Sequence, residues 1–287
     1  MTYLIVMVGL QGSGKSTKAK EIAKSLDAVV LSSDEIRKDN PSLDNNKVFV
    51  YLYDQMNKYL ADFKSVVIDA TNITLKSRQA IFNSLRVKPD YVGAYVMNTD
   101  YLECCIRVKE RNDKGVDHYV PLEVVERYRD NFQIPVVGEG FDGVHYDKEP
   151  SFNYNKSLDV IDETVGFNQD NSHHTFDLYG HSFIAGHNFG NICAGLFHDI
   201  GKLFTQTYDD KGEAHYYNHA HVGAYYLLTH LELIPFDLRD EVLAITNYHM
   251  LPYNWQTEKT HNKYKKIFGE SLYNKLIKFH EADEDAH

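Results

Sequence analysis

The sequence predicts an α/β domain built on a parallel sheet with flanking helices, followed by a second domain made of helices alone. In the first half, apolar and β-branched runs such as "YLIVMV" and "SVVID" alternate with stretches of helical spacing. In the second half the apolar residues follow helical spacing, and 13 of the 15 histidines lie after residue 150. We therefore place the domains at 1–147 and 172–287. A linker at 148–171, rich in Asp, Asn and Ser and with one short strand at "LDVID", is expected between them.

Charge and composition exclude several classes of protein. The net charge of −11 is divided into −2 for residues 1–150 and −9 for residues 151–287. Such acidity argues against a protein that coats nucleic acid indiscriminately, although phosphate contacts at an active site remain possible. The sequence has no run of eighteen apolar residues and starts on a strand pattern, so we expect a soluble, cytoplasmic protein without membrane contacts. Three cysteines, two of them adjacent, fit a reducing compartment.

The first strand leads into a glycine-rich loop, "GLQGSGKST", and then into a helical stretch, "KAKEIAKSL". The loop fits the pattern G-x-x-x-x-G-K-[ST], in which main-chain N–H groups and the helix N-terminus cradle phosphates. In this pattern the lysine reaches the β and γ phosphates of ATP, and the next hydroxyl is a ligand of Mg²⁺. The predicted ATP-binding residues are Gly9, Gly12, Ser13, Gly14, Lys15, Ser16 and Thr17.

Two further strand patterns end in polar residues, at "AVVLSSDEIRKD" and "SVVIDATN". Parallel strands deliver such residues to the ligand crevice at their carboxyl ends. There Asp34 would take the proton from an attacking hydroxyl, and Arg37 would fix an acceptor phosphate. The alternative is an Asp34 that caps a helix, with a solvated Arg37. Asp69 would hold Mg²⁺ through water or orient the acceptor, and Asn72 could line the same crevice.

A helix is predicted over "YLECCIRVKERND", and it carries Arg107 and Arg111 on one face. Small P-loop kinases close a helical lid whose arginines neutralise charge on the transferring phosphoryl group. A pair of arginines that simply faces solvent is the alternative.

Together these motifs resemble those of the polynucleotide 5′-kinase family: "GLQGSGKS", "SDEIR", "DATN", and "RVKERNDKG" followed by "VP". The resemblance covers roughly residues 1–145 and implies transfer of phosphate from ATP to a 5′-hydroxyl end. It implies that Asp34 activates the hydroxyl and that Arg37 binds a phosphate of the acceptor strand. The lid residue would be Arg107, Arg111 or Lys114. Related kinases act on nucleosides and other small alcohols, so the acceptor stays open.

Histidines and aspartates recur on the predicted helices of the second half. His174 and His181 are two helical turns apart, and "CAGLFHDIGK" ends an apolar helix with adjacent His198 and Asp199. A buried carboxylate beside an imidazole is costly unless hydrogen bonds or a metal ion compensate. Each histidine alone fits a core residue bonded to a carbonyl, but together they fit a divalent-metal site between facing helices. The later members of the series are His219, His249 and Asp283.

This ordered series is similar to that of the HD phosphohydrolase superfamily over residues 172–287, with "LFHDIGK" and "AHYYNHAHVGA" as the most specific stretches. The resemblance implies that the metal is held by His181, His198, Asp199 and Asp283. His219 and His249 would hold a second metal or contact the substrate phosphate.

Two points of this assignment stay open. The short gap between His181 and His198 allows His174 to share or replace the first ligand. Lys202 would stabilise charge on the phosphate, or would serve the dipole of its helix. His and Asp ligands admit Mn, Ni, Co, Fe, Zn or Mg, and such a metal would lower the pKa of a water for attack on phosphorus.

The two halves together predict a bifunctional enzyme that heals nucleic-acid ends. The first domain would phosphorylate 5′-hydroxyl ends, and the second would remove a 2′,3′-cyclic phosphate or a 3′-phosphate. We expect RNA or tRNA ends as substrates more than DNA ends, and an RNA ligase that acts downstream. The sequence leaves open whether the chain forms a homo-oligomer. The alternatives are a small-molecule or nucleoside kinase fused to a nucleotide phosphohydrolase, and a nucleotide sensor without catalysis.

Overall fold

The computed structural model describes residues 1–115, 119–170 and 175–286. The chain forms two compact units, and each is described by itself. The first consists of Met1–Tyr128 and Glu139–Lys148, and the second of Arg129–Gly138 and the chain from Glu149 onward. The predicted boundaries at 147 and 171 stay a prediction.

The first unit is built on a five-stranded sheet. Its order is β2-β3-β1-β4-β5, and every neighbouring pair is parallel. The predicted parallel sheet with flanking helices is confirmed. The elements in chain order are β1 (Tyr3–Val8), α1 (Lys15–Leu26), β2 (Ala28–Ser32), α2 (Ser33–Asp39), α3 (Asn45–Ala61), β3 (Ser65–Asp69), α4 (Leu75–Ser84), β4 (Tyr91–Val96), α5 (Tyr101–Lys114), α6 (Leu122–Arg129) and β5 (Gly143–Tyr146).

The register of the sheet brings the functional loops to one edge. Ser32 pairs with Asp69, and Val8 pairs with Val96, so four strands end side by side. β1 and β3 are buried along almost their whole length, as their continuous apolar runs predict. The loops that follow these strands therefore meet where an open α/β sheet binds its ligands.

The second unit is helical, as predicted, apart from a short antiparallel hairpin of β6 and β7. The predicted strand at "LDVID" is wrong, because these residues lie in a helix that Asn153 caps by accepting from the Lys156 N–H. The elements are α7 (Tyr154–Asp162), α8 (Leu178–Phe189), α9 (Ile192–His198), α10 (Lys202–Thr205), β6 (Gln206–Tyr208), β7 (Ala214–Tyr216), α11 (His219–Thr229), α12 (Arg239–Tyr248) and α13 (Glu258–Glu284).

Side-chain caps set where the first two histidine-bearing helices, α8 and α9, begin. Asp177 accepts a hydrogen bond of 2.8 Å from the Gly180 N–H at the start of α8, and Asn191 accepts one of 3.1 Å from the Ala194 N–H at the start of α9. α13 is interrupted at Gly269, whose φ of 73° is outside the helical range. Within the described ranges, no helix is both long enough and apolar enough to cross a membrane.

Candidate functional site

The glycine-rich loop follows β1 and has a fixed left-handed geometry. Gly12 and Gly14 have φ of 79° and 94°, and a Cβ at Gly12 would lie 2.4 Å from the carbonyl oxygen of Cys104. The Thr99 hydroxyl donates to the Ser13 carbonyl at 2.9 Å and so ties the loop to the segment after β4. α1 begins at Lys15 without a side-chain cap from any described residue. The N–H groups of its first turn, including those of the exposed Ser16 and Thr17, are thus not capped by a side chain.

Lys15 is the buried cation of this loop. Its side chain is 8% exposed, and its Nζ donates to the Leu10 carbonyl at 2.6 Å. Burial lowers the pKa of Lys15, while the carboxylates of Asp69 and Asp34 act in the opposite direction. Asp69 itself is buried at the end of β3. The glycine-rich loop and the end of β3 therefore place one buried cation and one buried carboxylate at the edge of the sheet.

Several polar atoms beside Lys15 make no hydrogen bond to any described residue. They are the buried Ser13 Oγ, Gln11 Oε1 and Arg111 Nε. The charge of Arg111 also contributes to the lowered pKa of Lys15, after the larger effect of burial. Buried polar atoms are normally paired, so these groups indicate a missing polar ligand. An anion with several oxygens, such as the phosphates of ATP, fits the two donors of this set, Ser13 Oγ and Arg111 Nε, whereas Gln11 Oε1 accepts and would need a donor.

Arg107 lies on the same helix but is already paired. Its Nη1 donates to the Gly12 carbonyl at 3.3 Å, and its Nη2 bonds the Glu103 carboxylate. Arg107 therefore reaches the glycine-rich loop, while Arg111 alone of the two keeps a buried nitrogen without a described partner. Lys114 is exposed at the end of α5.

Asp34 and Arg37 form an ion pair on α2, directly after β2. Arg37 Nη1 lies 2.7 Å from Asp34 Oδ1, and its Nε donates to Asn45 Oδ1 at 3.2 Å. The alternative of a capping Asp34 is wrong, because the α2 cap is Ser32, whose hydroxyl accepts from the Glu35 N–H. The Asp34 side chain is 89% exposed, so its carboxylate is open to an incoming substrate.

A buried ion pair that no sequence pattern indicates supports the loop after β3. Arg78 binds Glu139 through two hydrogen bonds of 2.7 and 2.8 Å, and both side chains are fully buried. Arg78 Nη1 also donates to the Asn72 carbonyl at 3.0 Å. The Asn72 amide donates to the Met7 carbonyl at 2.9 Å, so Asn72 braces β1 and does not offer this group to the crevice. The two charges lie far apart in sequence, so no local pattern joins them.

Six predicted metal-site residues of the second unit come together in one buried cluster. Each is between 0% and 8% exposed. The predicted His174 lies outside the described residues. The cluster members come from five different helices or the residue that follows one of them: His181 (α8), His198 and Asp199 (end of α9), His219 (α11), His249 (after α12) and Asp283 (α13).

All four imidazoles use the same ring nitrogen, Nδ1, to contact the main chain. Each Nδ1 faces a main-chain carbonyl, which only accepts hydrogen bonds, so each Nδ1 carries the proton. Each Nε2 of a neutral ring then presents a lone pair to the cluster. The Nδ1 contacts are His181 to Ala286 O at 3.3 Å, His198 to Gly195 O at 2.7 Å, His219 to Tyr216 O at 2.8 Å and His249 to Thr246 O at 3.0 Å.

These lone pairs point at one another and at two carboxylates. Asp283 Oδ1 lies 3.0 Å from His181 Nε2 and 3.2 Å from His198 Nε2. Asp199 Oδ1 lies 3.1 Å from His219 Nε2 and 3.3 Å from His249 Nε2, and the latter two nitrogens are 3.2 Å apart. Acceptors facing acceptors repel each other unless a cation lies between them. The residues therefore fit a divalent metal.

The cluster divides into two overlapping groups of three ligands. One is His181, His198 and Asp283, and the other is His198, Asp199 and His249. The two carboxylate oxygens of Asp199 face different imidazoles, since Oδ2 lies 3.6 Å from His181 Nε2 while Oδ1 faces His219 and His249. A carboxylate in this position can bridge two ions.

His198 and Lys202 stabilise the negative charge of Asp199 within the cluster. Burial would lower the pKa of His198, but Asp199 and Asp283 outweigh it and raise that pKa to about 10. Burial would raise the pKa of Asp199, but His198 and Lys202 hold it well below its usual range. Lys202 Nζ lies 2.6 Å from Asp199 Oδ2 and 2.7 Å from Gln169 Oε1. Lys202 starts α10, so it lies at the wrong end to serve the helix dipole.

A close contact of two glycines positions the first histidines, and we expect Gly195→Ala to be strongly destabilising. A Cβ at Gly195 would lie 2.2 Å from the Gly186 Cα, so α8 and α9 would have to move apart. Overpacking of this kind costs about 3 kcal/mol or more of unfolding free energy, and urea denaturation measures it. Gly180→Ala on α8 is the control, because its Cβ would meet only side-chain atoms, at 3.0 Å and beyond. Equal stability of the two variants would contradict this account of the packing.

Comparison with known proteins finds a family match in each half of the chain. Residues 4–135 match the family described as the AAA domain, and residues 173–283 match the HD domain family. None of the curated proteins compared with the chain matches it significantly.

Solved structures that resemble the chain include kinases and an RNA repair assembly. A chain of the Pnkp1/Rnl/Hen1 RNA repair complex is 24% identical with a TM-score of 0.40, over 44% of this chain and 42% of that one. A gluconokinase from Sinorhizobium meliloti is 17% identical with a TM-score of 0.37, over 51% of this chain and 83% of its own. A fungal RNA kinase is 17% identical with a TM-score of 0.39, over 57% of this chain and 44% of its own. This chain thus spans less than half of the repair protein that it matches.

The P-loop, the parallel sheet and the buried histidine cluster are consistent with these two family matches. The chain thus carries a P-loop domain that matches the AAA domain family, followed by a helical domain that matches the HD domain family.

Proposed function

We propose that this protein is a bifunctional enzyme that heals nucleic-acid ends, RNA ends in particular. The first unit would transfer phosphate from ATP to a 5′-hydroxyl end. The second would hydrolyse a 2′,3′-cyclic phosphate or a 3′-phosphate, and an RNA ligase would use the repaired ends. The observation that carries the proposal is that one chain holds both a phosphate loop beside an open Asp34–Arg37 pair and a buried cluster of cation ligands.

In the kinase reaction, each described group has a distinct place. Lys15 and the N–H groups of the glycine-rich loop would bind the phosphates, and Arg111, with Arg107, would neutralise charge on the transferring group. Asp34 would accept the proton of the 5′-hydroxyl, and Arg37 would bind a phosphate of the acceptor strand. Ser16 would be a ligand of Mg²⁺, and Asp69 would reach the ion through water.

In the hydrolase reaction, the helices of the second unit supply the ligands. One divalent ion would be held by His181, His198, Asp199 and Asp283. The remaining histidines, His219 and His249, would hold a second ion or would contact the substrate phosphate. A divalent metal of the Mn, Ni, Co, Fe, Zn or Mg type supplies a Lewis acid for the phosphoryl group and acidifies water. Lys202 would hold Asp199 in place and offset negative charge on the phosphate.

The kinase half is tested by Asp34→Asn, with Asp39→Asn as the control. Both residues are exposed on α2, but only Asp34 lies beside Arg37 and acts on Lys15. Loss of a general base typically costs about 10²–10⁴-fold, so we expect a fall of this size in label transfer from ATP to a 5′-hydroxyl oligoribonucleotide. ATP affinity and the Asp39→Asn variant should stay near wild type.

Two results of the same assay would contradict the proposal. Transfer to a free nucleoside but not to an oligonucleotide would favour a small-molecule kinase. Full transfer by Asp34→Asn would show that the carboxylate is not the base.

A further inference from the structure

An aromatic stripe extends from the Asp34–Arg37 pair along α3. Asn45, Phe49 and Tyr53 are four residues apart and therefore share one face of this helix. Asn45 accepts the hydrogen bond from Arg37 Nε, and the Phe49 ring centroid lies 5.8 Å from Arg37 Cζ. The Tyr53 ring follows at 6.1 Å from Phe49. Both rings are partly exposed.

This stripe begins at the sheet edge that carries the phosphate loop. Asp34 lies in the first turn of α2, directly after β2, and the last residue of β2 pairs with Asp69 at that edge. Arg37 pairs with Asp34, and Phe49 lies beside Arg37. A substrate whose hydroxyl reaches Asp34 would thus have a cation and then an aromatic face next to it. The Arg37 guanidinium and the Phe49 ring are within the range of a cation–π contact, which keeps both groups together.

We infer that Phe49 is the platform on which the base of the 5′-terminal nucleotide stacks. This inference rests on the proposed kinase function and specifies its acceptor. A 5′-terminal nucleotide combines a hydroxyl, a flat aromatic base and a 3′-phosphate in one unit. Asp34 offers a carboxylate for the hydroxyl, Phe49 an aromatic face for the base, and Arg37 a cation for the phosphate. A simple alcohol has no flat aromatic group that could stack on the ring.

Stacking also determines the kind of selectivity that this subsite gives. Every base has a π-face, so stacking on an aromatic side chain tolerates any sequence. The kinase would therefore require a base at the 5′ end but would not discriminate strongly between the four bases.

The test compares two oligoribonucleotides that differ only in their first residue. One carries a normal 5′-terminal base and the other an abasic 5′-terminal residue, and the Michaelis constant is measured for each. The variants are Phe49→Leu, which keeps apolar bulk but removes the ring, and Phe49→Trp, which keeps an aromatic face. Val50→Ala is the matched control, since Val50 is 61% exposed on the same helix.

We expect wild-type protein to bind the base-bearing end about tenfold better than the abasic end, from the usual strength of base stacking. Phe49→Leu should raise the Michaelis constant of the base-bearing substrate by a similar factor and leave the abasic one almost unchanged. Phe49→Trp and Val50→Ala should keep the difference between the two substrates.

Two results would overturn the subsite, and they differ in what they say about the kinase. If Phe49→Leu changes both substrates equally, Phe49 is a packing residue while the kinase proposal stands. If wild-type protein transfers phosphate to neither oligonucleotide, the kinase proposal fails and the subsite fails with it.

Discussion

Asp199→Asn is expected to abolish metal binding and phosphate release by the second unit while sparing the kinase. Asp199 is the residue that faces both halves of the histidine cluster, through its Oδ2 and Oδ1 atoms. Loss of an outer-shell partner of a metal already costs about 10–100-fold in affinity, so loss of a ligand should cost more. Elemental analysis of the purified protein and phosphate release from a 2′,3′-cyclic phosphate end measure the two effects.

The design of this experiment must account for Lys202. Removing one partner of a buried ion pair leaves an uncompensated charge and typically costs about 3–5 kcal/mol, and Lys202 is only 5% exposed. The double variant Asp199→Asn/Lys202→Met removes both charges and separates loss of the ligand from loss of stability. Asp237→Ala, an exposed aspartate of the same unit, is the control. A folded double variant that retains its full metal content would show that the cluster is not the metal site.

Lys15→Met is expected to reduce phosphate transfer by about 10²–10³-fold, the typical cost of removing one preorganised charge-stabilising group. Lys15 also interacts electrostatically with the buried Asp69, so loss of stability should accompany loss of activity. Transfer from ATP to a 5′-hydroxyl oligonucleotide measures the activity, and thermal denaturation measures the stability.

The control for Lys15 is Lys20→Met, on the exposed side of the same helix. The HD half supplies a second control in the same molecule, because phosphate release should be unchanged in a folded Lys15→Met variant. Kinase activity close to wild type in Lys15→Met would contradict the role of this loop in phosphate transfer.

Much of the architecture could be read from local sequence. A buried parallel strand is a continuous apolar run, and its periodicity is visible within a few residues of chain. The strand, loop and helix around Lys15 were predicted for this reason, and so was the helical nature of the second half. "LDVID" was predicted as a strand because a short apolar run does not separate strand from helix, and the Asn153 cap decided for helix.

Other features depend on contacts between distant parts of the chain. The Arg78–Glu139 pair joins residues 61 positions apart and had no signal in either segment. Local sequence also left open whether Asp34 caps its helix, and the hydroxyl of Ser32 takes that position. Phe49 was not singled out from the sequence, because its relation to Arg37 arises only when α2 and α3 pack together.

The sequence by itself determined the residue types and their order: a glycine-rich loop with one lysine after an apolar strand, and a series of histidines and aspartates on successive helices. Only the tertiary structure decided that four imidazoles turn their Nε2 atoms inward toward two carboxylates. Main-chain carbonyls hold each Nδ1, and the close packing of the helices brings the acceptors within about 3 Å of one another. The chemistry of the ligands is local, whereas the mutual repulsion that calls for a cation is a property of the assembled fold.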